Sequence, residues 1–127
     1  MDQAKQSMPA LRKSKGCIIV TSSGASVHAY STWGAYGASK AALNSLCRTI
    51  AVEEPDVTAL SVAPGVVDTD MQKEVRDVHS SLMDEKDAKK FLNLLEDGGL
   101  LKPEQPGNVM ARLVLNPPKE LSGEFLS

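Results

Sequence analysis

Ser23, Tyr36 and Lys40 are the residues of this 127-residue chain whose types and spacing suit proton chemistry at a carbonyl. Tyr36 follows Ser23 by thirteen positions, and Lys40 follows Tyr36 by four. A serine hydroxyl can hold a carbonyl oxygen, and a phenol can give that oxygen a proton or take one back. An ammonium one helical turn from the phenol stabilises its anion, which a phenol needs if it is to exchange protons near neutral pH. The chemistry is then reduction of a ketone or aldehyde, or oxidation of an alcohol. No amino-acid side chain delivers a hydride, so a redox cofactor is implied.

Such a trio needs rigid elements to hold it. Within residues 35–54, Leu43, Leu46, Cys47 and Ile50 recur at i, i+3, i+4 and i+7, which predicts an amphipathic helix with Tyr36 and Lys40 on one face. The apolar, β-branched run Cys17-Ile-Ile-Val-Thr-Ser22, introduced by Gly16, predicts a short, fully buried strand that delivers Ser23 at its carboxyl end. A second apolar run at 57–63 predicts another strand. A helix of roughly 20 residues between two such strands implies a parallel pair joined by a right-handed crossover. Immediately afterwards comes Pro64-Gly65-Val66-Val67-Asp68-Thr69. A glycine there permits close backbone approach to a ligand at the carboxyl end of a strand, where open α/β sheets bind cofactors.

In this order and spacing the residues resemble the short-chain dehydrogenase/reductase family. Its upstream serine and Tyr-x-x-x-Lys helix match Ser23, Tyr36 and Lys40, and its Pro-Gly-x-Val-x-Thr loop matches residues 64–69. The resemblance implies an α/β fold, the C-terminal part of a Rossmann-like doubly wound parallel sheet. It implies Ser23, Tyr36 and Lys40 as catalytic residues, and Tyr36, Lys40, Pro64, Gly65, Val67 and Thr69 as cofactor contacts, with the Val67 backbone and the Thr69 hydroxyl holding the carboxamide and a nearby phosphate. Residues 17–69 would be the catalytic core, 70–103 a helical region covering the substrate, and 104–127 the last helix (108–115) and strand (122–126). In the covering region, 84–90 would form the charged outer face, Phe91, Leu92 and Leu95 a narrow apolar stripe, and Gly98-Gly99 the helix end. The run 67–72 is most similar to sepiapterin- and benzil-type carbonyl reductases. That points to NADP, with NAD open, to a small-molecule carbonyl or alcohol substrate, and to a homo-oligomer formed through the helix at 36–53.

Each motif alone has an ordinary reading. Tyr and Lys four apart usually mean one half-buried aromatic and one solvated charge, and Pro-Gly is a turn. Their joint occurrence, in order, outweighs those readings. Tyr30 and Trp33 lie between the serine and the tyrosine, where substrate lining and helix packing are both open. His28 and His79 stand singly, without acidic or cysteine partners at ligand spacing, so no metal is expected. Cys17 and Cys47 read as small buried hydrophobes rather than a disulfide. A formal charge of -2, with Lys and Arg clustered only at 11–15, excludes a nucleic-acid surface. That cluster reads as the solvated end of a helix stopped by Gly16. No apolar run approaches the roughly 18 residues of a membrane span and no secretory leader is evident, so cytoplasmic residence is expected.

The resemblance covers nearly all of the chain but only about the carboxyl half of the family pattern. A Gly-rich turn for a pyrophosphate, the residue that selects NAD or NADP, and the Asn-Ala-Gly segment with the family's catalytic asparagine have no counterparts in these residues. The expectation is a truncated reductase, poorly stable alone, whose first strand has one open ladder edge prone to pairing. The rival is a non-catalytic interaction fragment that dimerises through the small residues Ala38, Ala41, Ala42 and Ser45 of the helix.

Overall fold

A computed structural model describes residues 2–127. Strand β1 (Cys17–Thr21) leads through α2 (Gly34–Glu53) to β2 (Thr58–Val62), and the two strands pair in parallel from Cys17 opposite Thr58 to Thr21 opposite Val62. Strand β3 (Phe125–Leu126) pairs in parallel on the far side of β2, giving the order β1-β2-β3. Helix α1 (Asp2–Ser14) precedes the sheet, α5 (Glu104–Leu115) packs against β1, and α3 (Asp70–Glu74) and α4 (Glu85–Glu96) form an excursion between β2 and α5. Between α3 and α4 the backbone widens into one π-helical turn, Val75–His79. No helix among the described residues is long and apolar enough to cross a membrane.

Covered on both sides, β2 buries all five of its residues. Leu60 at its centre is fully buried, which stabilises the fold by roughly 1.5–3 kcal/mol relative to exposure. The expected stripe on α2 forms: Cys47 and Ile50 are buried against Ala59, with Leu46, Met8 of α1, and Ile18 and Val20 of β1 packed around them. Burial pushes the Cys47 thiol up to about 11, which makes it an inert hydrophobe.

Several expectations are corrected. β1 is half-buried rather than fully buried, and Cys17 with it, because β1 is the edge strand of the three-stranded sheet. On α4, Leu92 and Leu95 are exposed. Phe91 and Ala88, three positions apart, face inward instead and join Val75 and Met83 in a second cluster. Helix α5 begins at Glu104, not 108, because Pro106 falls in the first turn, where a missing N–H costs no hydrogen bond. The last strand is only two residues long. Gly123, at φ +92°, turns the chain, and the Ser122 hydroxyl takes the Ala59 N–H at 3.0 Å in place of a strand partner. Arg12 is exposed at the end of α1, as expected, and it also grips the Glu54 carboxylate at the end of α2 through Nε at 2.7 Å and through Nη2, holding that carboxyl below its usual range.

Candidate active site

The strand end and helix α2 are fastened together along one face of the helix. Lys40 Nζ donates to the Thr21 carbonyl at 2.9 Å and lies 5.6 Å from the centre of the Tyr36 ring. Ser23 caps a short 3-10 turn, Gly24–Ser26, its Oγ accepting from the Ala25 N–H at 3.2 Å, so its own proton stays free to donate. Gly37 lets α2 press against this turn: a Cβ there would come within 2.7 Å of the Ala25 carbonyl oxygen. One turn beyond Lys40, Asn44 is buried. The Ser22 hydroxyl donates to Asn44 Oδ1 at 2.6 Å, Asn44 Nδ2 donates to Ser26 Oγ at 2.8 Å, and Ser26 Oγ donates to the Ser23 carbonyl at 2.6 Å. Asn44 therefore ties the helix to both sides of Ser23.

The loop after β2 is held as firmly. Gly65 adopts φ +80°, a left-handed conformation that costs other residues strain. Val67 bridges to Leu101, with Asp68 N–H donating to the Leu101 carbonyl and Leu101 N–H to the Val66 carbonyl. Thr69 caps α3 by accepting the Gln72 N–H at 3.3 Å. The seven residues singled out from sequence, Ser23, Tyr36, Lys40, Pro64, Gly65, Val67 and Thr69, all line one cleft of about 530 Å³.

Aromatic packing shapes the rest of the cleft, and Tyr30 and Trp33 take part in it. Trp33 meets Tyr36 edge-on at 5.4 Å and stacks on Phe91 at 5.3 Å, while Tyr30, Trp33 and Phe91 also line the cleft. Helix α4 is latched to this loop by a reciprocal cap: Asp84 N–H donates to Ser31 Oγ at 2.7 Å, and Ser31 N–H donates to the Asp87 carboxylate at 2.8 Å. Lys90 Nζ adds a bond to the Tyr30 hydroxyl at 2.7 Å. A second cavity of about 410 Å³ shares Trp33 and Tyr36 and ends at Glu74 and His79, which lie 3.6 Å apart. His79 thus faces a carboxylate that its sequence neighbourhood did not suggest. Thr32, beside Trp33, is held at φ +66°, an uncommon and strained conformation for a β-branched residue.

Sequence reasoning missed Ser22, Ser31, Asn44, Gln72 and Asp87. For Asn44 a signal existed: it continues the stride of Tyr36 and Lys40 by four, a lone amide among the apolar residues of the stripe.

A family profile described as short chain dehydrogenase matches residues 1–80. The chain belongs to the short-chain dehydrogenase family. It is 46% identical over 125 residues to a benzil reductase ((S)-benzoin forming) of Saccharomyces cerevisiae, covering 94% of this chain and 48% of that protein. An uncharacterised oxidoreductase of the same yeast is 44% identical over 122 residues, again covering 94% of this chain and 48% of the relative. The crystal structure of the KRED1-Pglu enzyme superposes with a TM-score of 0.95 at 48% identity, over 98% of this chain and 52% of that one. The chain therefore spans about half the length of the curated relatives it matches, and its partial Rossmann-like sheet agrees with this short-chain dehydrogenase fold.

Proposed function

We propose that this chain carries the proton-transfer machinery of an NADP(H)-dependent short-chain carbonyl reductase, with NAD(H) as the alternative cofactor. The reading rests on one observation: Ser23, Tyr36 and Lys40 line the same cleft as the loop 64–69. The donor set suits a nicotinamide nucleotide. Hydroxyls on Tyr36 and Thr69, the Lys40 ammonium, and a backbone stripped of Cβ at Gly65 offer hydrogen bonds and close approach. When bound, such a cofactor supplies the hydride. The Ser23 proton holds the substrate oxygen, Tyr36 gives that oxygen its proton in reduction and takes it back in oxidation, and Lys40, anchored on the Thr21 carbonyl, stabilises the phenolate that results. Residues 17–69 act as the proton-transfer core and 70–103 as the cover that admits a small carbonyl or alcohol.

The test is NADPH consumption with a panel of ketones. Tyr36→Phe should lower the rate by about 10²–10⁴-fold while circular dichroism stays unchanged. Turnover surviving in that variant would overturn the role of Tyr36.

The open edge of β1 and the exposed residues Ala38, Ala42 and Ser45 on α2 favour a second reading, an interaction fragment that pairs with another copy. Absence of both turnover and NADPH binding, with a dimer mass by light scattering, would select it.

A further inference from the structure

We propose that Gln72 anchors the ligand in the cleft by donating a hydrogen bond from its side-chain amide to an uncharged oxygen of the bound molecule. The inference rests on the cleft being the ligand site. Gln72 forms part of the cleft wall yet is only 7% exposed, and its Nε2 is shut off from water with no hydrogen-bond partner. A buried donor left unpaired is costly, so a fold keeps one where a partner arrives later.

Thr69 and Gln72 have the spacing of a capping box, and the Thr69 half is made at 3.3 Å. The return bond of such a box is accepted by the glutamine's Oε1, so local capping offers Nε2 no partner. Thr69 Oγ1 already accepts the Gln72 backbone N–H, and no acceptor among the described residues takes the Nε2 protons. Lys40 is the one cation lining the cleft among the described residues, and it is held on the Thr21 carbonyl. Arg76, four positions on, also has a buried and unpaired Nη1, but it is not part of the cleft wall; within the cleft, the oxygen that suits the amide is a neutral carbonyl. Two sources carry that chemistry: a second oxygen on the substrate, or the carboxamide of a nicotinamide ring.

The experiment separates them. Binding is followed by quenching of Trp33, the single tryptophan of the chain, which lines the cleft. The Gln72 side-chain amide resonance, assigned by its loss in Gln72→Leu, is followed by NMR. The probes are nicotinamide mononucleotide, 1-phenyl-1,2-propanedione, and propiophenone, which lacks the dione's second oxygen. A Gln72 shift with the mononucleotide assigns the carboxamide; a shift with the dione but not propiophenone assigns the substrate oxygen. Gln72→Leu and the near-isosteric Gln72→Glu should both weaken that probe roughly three- to tenfold. In the absence of probe, Gln72→Leu should melt no lower than the parent, because it removes an unpaired donor; a merely structural glutamine would lower the melting temperature. Probe binding without a Gln72 shift, unchanged affinity in Gln72→Leu, or a lowered melting temperature overturns the inference while leaving the cleft as the ligand site. Failure of every probe to bind overturns both.

Discussion

Replacing Asn44 with leucine should destabilise the chain far more than its change in shape suggests. Leucine keeps asparagine's branching at Cγ and its number of heavy atoms, so much of the cost falls on hydrogen bonds. The variant would strand the Ser22 hydroxyl, which is 2% exposed and donates to Asn44 at 2.6 Å, and would remove the bond from Asn44 to Ser26. A buried polar group left unpaired costs about 1–3 kcal/mol, and losing a neutral hydrogen bond costs about 0.5–1.5 kcal/mol more. The total is about 1.5–4.5 kcal/mol. With a urea slope of about 1.5 kcal/mol per molar, the unfolding midpoint should fall by roughly 1–3 M. Ser22→Ala removes the stranded hydroxyl, so adding it to Asn44→Leu should restore part of the loss, with a coupling of about 1 kcal/mol or more. A midpoint shift below about 0.3 M, or single effects that add within about 0.5 kcal/mol, would refute the network. It would also remove the physical reason for Ser23 holding its place relative to Tyr36.

Gly65→Ala forces a Cβ into a left-handed backbone and to within 2.8 Å of Leu101 Cδ1; it should cost about 1–2 kcal/mol in urea unfolding. The control is Gly34→Ala, whose Cβ would meet open space at the start of α2; equal effects of the two would show that conformation at Gly65 is unimportant. The Asp87 carboxyl is held below its usual range first by the Ser31 N–H, so its stabilising effect is present above the unfolded-state value of about 3.9 and is lost as pH falls through the lower folded value. The gap in melting temperature between parent and Asp87→Asn should therefore be widest near neutrality and close below about pH 4; a gap independent of pH would contradict the latch. Light scattering should show mass rising with concentration as open β1 edges pair, and a single-chain mass at every concentration would dismiss that edge as a contact.

Sequence by itself determined the βαβ core and seven of the residues that line the cleft. Periodicity survives in one dimension: the stride of Leu43, Leu46, Cys47 and Ile50 marks a helix wherever it packs, and the short runs on either side of it read as strands because they are apolar and contain β-branched residues. The order of strand-serine, Tyr-x-x-x-Lys and Pro-Gly-x-Val-x-Thr then brings seven residues to one end of a parallel sheet, since every strand in it points the same way. What sequence could not determine were contacts between residues far apart in the chain. Ser31 accepts from the N–H of Asp84, 53 positions later at the start of α4, and Ser22 meets Asn44 across 22. Leu92 and Leu95 are as apolar as Phe91, and only docking on Val75 and Met83 decides which faces inward. The half-burial of β1 likewise depends on which neighbours cover it. Hydrogen-bond satisfaction is a property of the assembled fold, so Asn44, whose amide oxygen and nitrogen each have a partner, and Gln72, whose Nε2 is buried and unpaired, look equivalent until tertiary structure supplies or withholds a partner.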